Sequence, residues 1–378
     1  MSIDKKNKDY KEYMARISKE KIPVYQPSLG LEEIQNLNEV VSSNWISEGK
    51  FTRKFEKLLS SEAQRKFALT FTNATSALIT GMKSLDISSG SEVIVPTFAH
   101  SADTNAISAT QARPRFADID EKTLCLSVDT IKSVMNEKVK AILFICAYGN
   151  ATGIEEVSIF CKENNLILVN DCAPALFGRI NDKSIASFGD FSVFSFFADK
   201  TITTGEGGML LTDNSVLIEE CNIFKHDGRR ERGHELIEKL GYNYRITEFQ
   251  SAVGVAQFNK GPYFANRKRE ILQKYKTLLS KVSGVEVFNF NNNESAIPHR
   301  IIIFLDDSTS LSQYLSSKGI GARKLFRPMH SQPVYNSENI FKSSEKVYQR
   351  GLELPSYPGL NDEEISYVCE EIKNYLGN

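Results

Sequence analysis

Short apolar segments alternate with segments of helical periodicity over residues 65–212. The apolar segments predict buried strands, and they are KFALTF, SEVIVP, KAILFIC, LILVND, DFSVFSFF and GMLLT. Segments with helical spacing lie between several of them, such as ATSALITGMKSL and EEVSIFCKENN. Buried strands that alternate with helices favour an α/β fold with a mostly parallel sheet covered on both faces. Ligands of such sheets bind beyond the carboxyl ends of the strands, so the residues that follow each strand are candidates for chemistry.

The pattern differs on either side of this region. Residues 1–21 are rich in Lys and Glu, and LEEIQNLNEVVSS has helical periodicity. After Gly261-Pro262 a charged amphipathic helix is predicted in NRKREILQKYKTLLSKV, followed by strands in EVFNF and HRIIIFL and a helix in DEEISYVCEEIKNYL. We therefore predict an N-terminal arm at residues 1–29, a large domain at 30–262 and a smaller C-terminal α+β domain at 263–378.

The composition narrows the function classes. The chain has 46 Lys and Arg against 47 Asp and Glu, a net charge of −1 that gives no global attraction for nucleic acid or anionic membranes. No apolar stretch is long enough to span a bilayer, and the start MSIDKKNKDYKEYM has no apolar leader, so we expect a cytoplasmic protein. The six cysteines form no C-x-x-C pair and the five histidines no H-x-x-x-H pair, so no metal site is predicted.

Three sites at predicted strand ends are candidates for chemistry. The turn from Thr72 to Ser76 opens a helix, and helix N-termini bind phosphate through free N–H groups, although most such turns are only caps. Asp171 ends an apolar strand, where a carboxylate needs a partner or caps the next helix. Lys200 follows another apolar strand; a lysine beside a desolvated pocket suits Schiff-base chemistry, while a surface lysine is the commoner case.

Together the three sites match the needs of one cofactor. Pyridoxal 5′-phosphate requires a phosphate cradle, a lysine for its aldehyde and a carboxylate beside its pyridine nitrogen. The sequence offers these in order, with Lys200 placed 29 residues after Asp171. The glycines of TGEGG form neither a P-loop nor a GxGxxG motif, so nucleotide binding through such a loop has little support.

The segment FSVFSFFADKTITTGEGGML resembles the lysine segment of the DegT/DnrJ/EryC1/StrS nucleotide-sugar aminotransferases. Other segments that resemble this family are IPVYQPSLG, NWISEGKF, SEVIVPTFAHSADTNAI, GYNYRITEFQSAVGVAQ and LELPSYPGLNDEEISYVCE. The chain is most similar to the GDP-perosamine synthase branch, which aminates C4 of a nucleotide-linked 4-keto-6-deoxyhexose. The resemblance implies fold-type I of the pyridoxal phosphate enzymes and a homodimer with active sites at the subunit interface.

The resemblance also implies the chemistry. Lys200 would form the Schiff base with the cofactor and shuttle the proton, and Asp171 would pair with the pyridine nitrogen. L-Glutamate would donate the amino group, with pyridoxamine phosphate as the form between the two half-reactions. The product would be an amino sugar for a bacterial surface polysaccharide of the O-antigen type. A few relatives carry His in place of this lysine and act as sugar dehydratases, so the retained Lys200 favours transamination.

Five further residues are implied in cofactor binding. Ala74, Thr75 and Ser195 would hold the phosphate. His100 stands where the family places an aromatic residue stacked on the pyridine ring, and a surface histidine is the alternative. Asn243 in GYNYR would reach the phosphate of the partner subunit, or it is an ordinary turn residue.

Two basic clusters are candidates for the diphosphate of the substrate, since guanidinium groups pair with phosphate oxygens. The clusters are Arg323, Lys324, Arg327 and His330 in GARKLFRPMH, and Arg229, Arg230 and Arg232 in DGRRERGH. We predict His330 and Arg327 as substrate contacts, with a solvated charged surface as the alternative for either cluster.

The sequence departs from the family pattern at two places. Pro174 stands where a polar residue near the phenolic oxygen of the cofactor is usual, and Cys146-Ala147 replace a frequent His-Leu. Both changes leave the substrate open. The alternatives are a 3-keto sugar, another keto-sugar such as an octulosonate, a pyridoxal phosphate-dependent sugar dehydratase, and a binding protein that keeps the fold without the chemistry.

Overall fold

The structure is a computed structural model that describes residues 21–231, 233–290, 296–335 and 337–377. Most of the predicted N-terminal arm lies outside the described residues, as does Arg232 of the second basic cluster. The end of the arm contacts the C-terminal part of the chain. Ile22 forms a parallel bridge with Ile320, and the amide of Ser356 donates a hydrogen bond to the carbonyl of Val24 (3.0 Å).

The described residues form two sheets and a short hairpin. The strands are β1 (Phe67–Phe71), β2 (Glu92–Pro96), β3 (Arg113–Ala117), β4 (Val139–Ile145), β5 (Ile167–Asp171), β6 (Arg179–Ile180), β7 (Lys183–Ser184), β8 (Phe191–Ser195), β9 (Gly208–Thr212), β10 (Glu286–Val287), β11 (Ile301–Phe304), β12 (Arg323–Lys324) and β13 (Gly351–Leu354). The large sheet has the order β1-β9-β8-β5-β4-β2-β3, and the small sheet has the order β10-β11-β13-β12. β6 and β7 form the hairpin.

The large sheet is mostly parallel. β3, β2, β4, β5 and β8 run parallel to one another, whereas β9 runs antiparallel to both β1 and β8. The register sets Ile145 beside Asp171, and Asp171 beside Val193. This confirms the predicted α/β fold with a mixed, mostly parallel sheet. The carboxyl ends of β2, β4, β5 and β8 consequently meet at one edge of the sheet.

Helices pack against both sheets. They are α1 (Leu31–Ser43), α2 (Lys50–Glu62), α3 (Ala74–Ser84), α4 (Ser101–Ala109), α5 (Val128–Lys132), α6 (Ile154–Glu163), α7 (Ser215–Lys225), α8 (Glu248–Leu279), α9 (Ser308–Ser317), α10 (Lys342–Arg350) and α11 (Asp362–Leu376). None of the helices in this part of the chain has the length and apolar character needed to cross a bilayer.

The longest helix runs through the predicted domain boundary. α8 begins at Glu248 and continues to Leu279 with Pro262 inside it, so the predicted helix start after Gly261-Pro262 is wrong. Buried side chains on both sides of the proline, such as Val255 and Phe264, offset the hydrogen bond that proline cannot make. The division at residue 262 stays a prediction; the large sheet precedes it in the chain and the small sheet follows it.

Apolar clusters cover both faces of the large sheet. Along β8, Phe191 and Val193 belong to one buried cluster and Phe194 belongs to the other. β4 alternates in the same way, with Leu143 in one cluster and Phe144 in the other. Because successive side chains of a strand point to opposite faces, an uninterrupted apolar strand is the pattern that a sheet buried on both faces requires.

A buried ion cluster joins the end of α7 to the segment before α2. Glu48 lies 2.6 Å from the ammonium of Lys225 and 2.9 Å from Nε2 of His226. Lys225 also donates to the carbonyl of Thr70 (3.0 Å). Burial by itself would raise the pKa of the Glu48 carboxyl, but the hydrogen bond from His226 and the charge of Lys225 bring the pKa to about 2. The ionised form of Glu48 is therefore part of the folded structure.

Candidate active site

A cavity of about 420 Å³ lies at the carboxyl edge of the large sheet. Six of the residues predicted for cofactor binding line it, namely Ala74, Thr75, His100, Asp171, Ser195 and Lys200. Three larger grooves, of about 460, 780 and 860 Å³, contain none of these six residues. The volume of the cavity is in the range of small-molecule sites. The fold thus brings together residues that are up to 126 positions apart in the chain.

The start of α3 forms one wall of the cavity. Asn73 caps the helix, since its Oδ1 accepts a hydrogen bond from the amide of Ser76 (2.8 Å), and Ala74 and Thr75 form the first turn. The first N–H groups of a helix have no partner within the helix and attract phosphate. β9 passes close behind this turn, because a Cβ atom on Gly208 would lie 2.3 Å from the carbonyl carbon of Asn73. Glycine at this position allows the close approach.

Asp171 and Ser195 end neighbouring strands at the cavity. Asp171 is 7% exposed, and its Oδ1 accepts a hydrogen bond from the amide of Ala173 (2.8 Å). The carboxylate therefore caps the turn that follows β5 and lines the cavity as well. Ser195 lies opposite Gly208 in the antiparallel pair of β8 and β9. This register places the serine next to the strand that backs the start of α3.

Lys200 lies in the loop between β8 and β9, beside an anionic neighbour. Its ammonium is 3.6 Å from the carboxylate of Asp199. Burial opposes the charge of Asp199, but the positive charges of Lys200, Arg300 and Lys268 hold the pKa of this carboxyl below its ordinary value. Asp199 is therefore ionised and balances the charge of the lysine at the cavity.

The charges continue from Asp199 to the small sheet. Arg300, which is 2% exposed, donates to Oδ2 of Asp199 (2.6 Å), and its Nε lies 3.5 Å from Glu353. Tyr148 donates its hydroxyl to the other oxygen of Glu353 (2.8 Å). Burial, followed by the charge of Arg300, lowers the pKa of Lys268 on α8 to about 7. This network ties the small sheet and α8 to the loop that carries the lysine.

His100 stands at the mouth of the cavity as the cap of α4. Its Nδ1 accepts a hydrogen bond from the amide of Ala102 (3.1 Å), and its ring meets the ring of Phe326 edge to face at 5.6 Å. Partial burial of the imidazole, and then the charge of Lys200, lower the pKa of His100. The ring is therefore neutral, and it lines the cavity while the residue stays exposed to solvent.

Three predicted residues do not line the cavity in this chain. His330 is buried and pairs its Nδ1 with the hydroxyl of Thr97 (2.7 Å), while its Nε2 lies 3.2 Å from Glu345. Arg327 donates to the hydroxyl of a neighbouring serine in its own turn (3.1 Å). Asn243 is exposed and forms a bridge with the end of α7. The predicted contact of Asn243 with a partner subunit stays a prediction.

The chain matches one known protein family over residues 27–373. It belongs to the DegT/DnrJ/EryC1/StrS aminotransferase family. Its relatives include the GDP-perosamine synthases of Escherichia coli O157:H7, 38% identical over 368 residues, and of Vibrio cholerae, 36% identical over 367 residues; each match covers 94% of this chain and 99% of the relative. Helicobacter pylori PseC, an aminotransferase involved in the biosynthesis of pseudoaminic acid, has a TM-score of 0.90 at 26% identity and covers 94% of this chain and 99% of its own.

Family membership confirms the predicted enzyme class and fold type. The chain is a pyridoxal phosphate-dependent aminotransferase of fold-type I. The cavity fits the cofactor on independent grounds. A helix start with free N–H groups, a strand-end acid (Asp171) and a lysine (Lys200) line one space, and the close backbone approach at Gly208 backs the helix start.

Several residues of the cavity wall were not predicted from the sequence. They are Asp103, Tyr148, Asp199, His299, Arg300 and Glu353. The sequence did hold a signal for Asp103, because it lies on the same face of α4 as the buried Ala106 and Ile107. The sequence held a similar signal for Arg300 and Glu353. Each is a charged residue at the edge of, or within, a largely apolar strand segment, HRIIIFL or LELP. A charge on a buried face points to a partner or a site.

The two departures from the family pattern differ in their relation to the cavity. Pro174 and Ala147 line it, so neither offers a side-chain hydrogen bond there. Cys146 is fully buried, with its Sγ 3.4 Å from Oδ1 of Asn170 and 3.8 Å from Sγ of Cys172. Pro174 and Ala147 therefore make the cavity wall less polar, and Cys146 fills the core behind it.

Proposed function

We propose that this enzyme transfers the amino group of L-glutamate to C4 of a nucleotide-linked 4-keto-6-deoxyhexose and so makes an amino sugar for a surface polysaccharide. The similarity to two GDP-perosamine synthases over 94% of this chain supports the substrate class. The single observation that carries the chemistry is the joint presence of Lys200, Asp171 and the start of α3 in one cavity. A cytoplasmic location remains part of the proposal.

Five residues of the cavity have a proposed task in cofactor binding and proton transfer. The cofactor, when bound, supplies the carbonyl for Schiff-base formation and a ring that accepts electrons. Lys200 binds the cofactor and then carries the proton between the carbon of the amino donor and the cofactor. Asp171 keeps the proton on the pyridine nitrogen. The amides of Ala74 and Thr75 and the hydroxyl of Ser195 hold the phosphate.

The rest of the site orients the two substrates. His100, a neutral imidazole in the cavity wall, would contact the cofactor ring. For the diphosphate of the sugar nucleotide, Arg323 is better placed than Arg327 and His330, since it lines the cavity. Arg323 also lies over the ring of Tyr25, with its guanidinium carbon 5.0 Å from the ring centre. This contact holds the arginine at the wall.

The proposed assembly is a homodimer. Apolar side chains are exposed in the segment before Asn243, where Leu236, Ile237 and Leu240 are 60%, 56% and 91% exposed. An exposed apolar patch of this kind is typical of an interface between subunits. The same segment would bring Asn243 towards the phosphate of the partner subunit.

The first experiment is the visible absorption spectrum of the purified enzyme with pyridoxal phosphate. The absorption of the bound cofactor should fade when L-glutamate is added, and K200A should show no change and no turnover. Full activity of K200A would contradict the role of the lysine. A panel of 4-keto and 3-keto sugar nucleotides then tests the acceptor, and release of ammonia with a deoxygenated sugar would contradict transamination.

A further inference from the structure

Two carboxyl groups, which come from distant parts of the chain, meet in the wall of the cavity. Asp103 lies on α4 and is 1% exposed, and Asp171 ends β5 and is 7% exposed. Both line the cavity, and their carboxyl groups are within hydrogen-bonding reach of each other. They are 68 residues apart in the sequence, so only the fold brings them together.

The surroundings of the two acids differ. Asp171 accepts the amide of Ala173, which stabilises its ionised form. No N–H or hydroxyl group of another described residue donates to either oxygen of Asp103. A buried carboxylate without a donor is costly, and two carboxylates in contact cannot both be ionised.

We propose that Asp103 keeps its proton and donates it to Asp171, so that the pair carries one negative charge and Asp171 stays the ionised member. Asp103 is then a positioning residue that acts through Asp171. The inference rests on the proposed role of Asp171 towards the pyridine nitrogen, whereas the shared proton itself does not depend on any cofactor.

The charges around the pair agree with this assignment. Burial, followed by the negative charge of Asp171, raises the pKa of Asp103 well above its ordinary value. Lys200 opposes this shift but does not reverse it. His100, also at the cavity, has a lowered pKa and is neutral, so it adds no positive charge. The donated proton stabilises the charge on Asp171, which in turn favours a protonated pyridine ring when the cofactor is bound.

The first test measures the free energy of unfolding of the full-length, cofactor-free chain against pH. The unfolded chain releases the proton of Asp103 above a pH of about 3.9, and the folded chain retains it, so rising pH favours unfolding. D103N is permanently neutral and still offers an N–H donor. The folding equilibrium constant of D103N relative to that of the wild type should rise tenfold or more between pH 4.5 and 7.5.

The control is D129N, which makes the same change at an exposed acid. The folding equilibrium constant of D129N relative to that of the wild type should vary much less between pH 4.5 and 7.5. If the folding equilibrium constant of D103N relative to the wild type stays constant or falls as the pH rises, the proposed shared proton is refuted. That result would leave the function of Lys200 untouched, so the two proposals fail separately.

The second test measures steady-state kinetics with pyridoxal phosphate, L-glutamate and an accepted keto-sugar nucleotide. D103L fills the same space without a donor and should lower kcat about tenfold, the order of one hydrogen bond to a charged group, with KM for the sugar unchanged. D103N should restore kcat to within a few fold of the wild type. Equal kcat in D103L and the wild type, or failure of D103N to restore it in a folded protein, would refute the positioning role.

Discussion

Gly208 offers the sharpest test of how the fold builds the phosphate wall. The residue begins β9 and pairs with Phe71 of β1 and Ser195 of β8. A Cβ atom at this position would lie 2.3 Å from the carbonyl carbon of Asn73 and 2.5 Å from the nitrogen of Ala74. Both are backbone atoms, so no side-chain rotation can relieve the contact.

The structure sets the size of the effect of G208A. Real Cβ atoms essentially never lie closer than 3.0 Å to another heavy atom and seldom closer than 3.4 Å, so β9 and the start of α3 must separate by roughly 1 Å. Extra atoms in a packed region typically cost about 1–3 kcal/mol. Since the displaced helix start carries the N–H groups proposed for the phosphate, we expect pyridoxal phosphate to bind roughly 10 to 100 times more weakly.

The assay is a titration of cofactor-free enzyme with pyridoxal phosphate, followed by absorbance, with the free energy of unfolding measured in parallel by urea. G359A is the matched control, because its Cβ atom would meet Tyr357 at an ordinary distance of 3.8 Å. Unchanged cofactor affinity in G208A would refute the proposed phosphate wall, whether or not the protein is destabilised.

Two further predictions concern the buried ions. R300M removes the arginine that pairs with the buried Asp199. We expect the free energy of unfolding, measured in urea at pH 7.5, to fall by about 3–5 kcal/mol. A loss below about 1 kcal/mol would mean that Lys200 alone is a sufficient partner for Asp199. The fold lowers the pKa of Glu48 from 4.5 to about 2, so the ionised carboxylate stabilises the folded state at any pH above 4.5. This stabilisation is lost as the pH falls from 4.5 towards 2. E48Q should therefore remove roughly 3 kcal/mol of acid dependence between pH 6 and 2, whereas an unchanged pH slope in urea unfolding would contradict the ion cluster.

The linear pattern of the chain was enough to predict six of the seven strands of the large sheet, and it missed β3. The six apolar segments between residues 65 and 212 correspond to β1, β2, β4, β5, β8 and β9. An uninterrupted apolar strand is typical of a sheet that is buried on both faces. The sequence also pointed to Asp171 and Lys200, since a charge at the end of an apolar strand lies at the ligand-binding edge. Both line the cavity.

Local patterns failed where distant packing decided the outcome. Gly261-Pro262 predicted a helix start, yet α8 passes through it because buried neighbours support the helix on both sides. His330 and Arg327 have the chemistry of phosphate ligands, but His330 pairs with Thr97 and Arg327 with Ser331, and neither lines the cavity. Their contact with the substrate stays a prediction. Arg323 and Lys324 in the same segment line the cavity instead.

The sequence by itself determined the kind of sheet, the edge at which ligands bind and two charged residues that line the cavity there, Asp171 and Lys200. The tertiary structure alone decided which polar side chains meet, as in the pairs of Arg300 with Asp199 and of Asp103 with Asp171. The physical reason is range. Hydrophobic periodicity acts between neighbours in the chain, whereas ion pairs and shared protons depend on distances of a few ångströms between side chains that only the folded chain brings together.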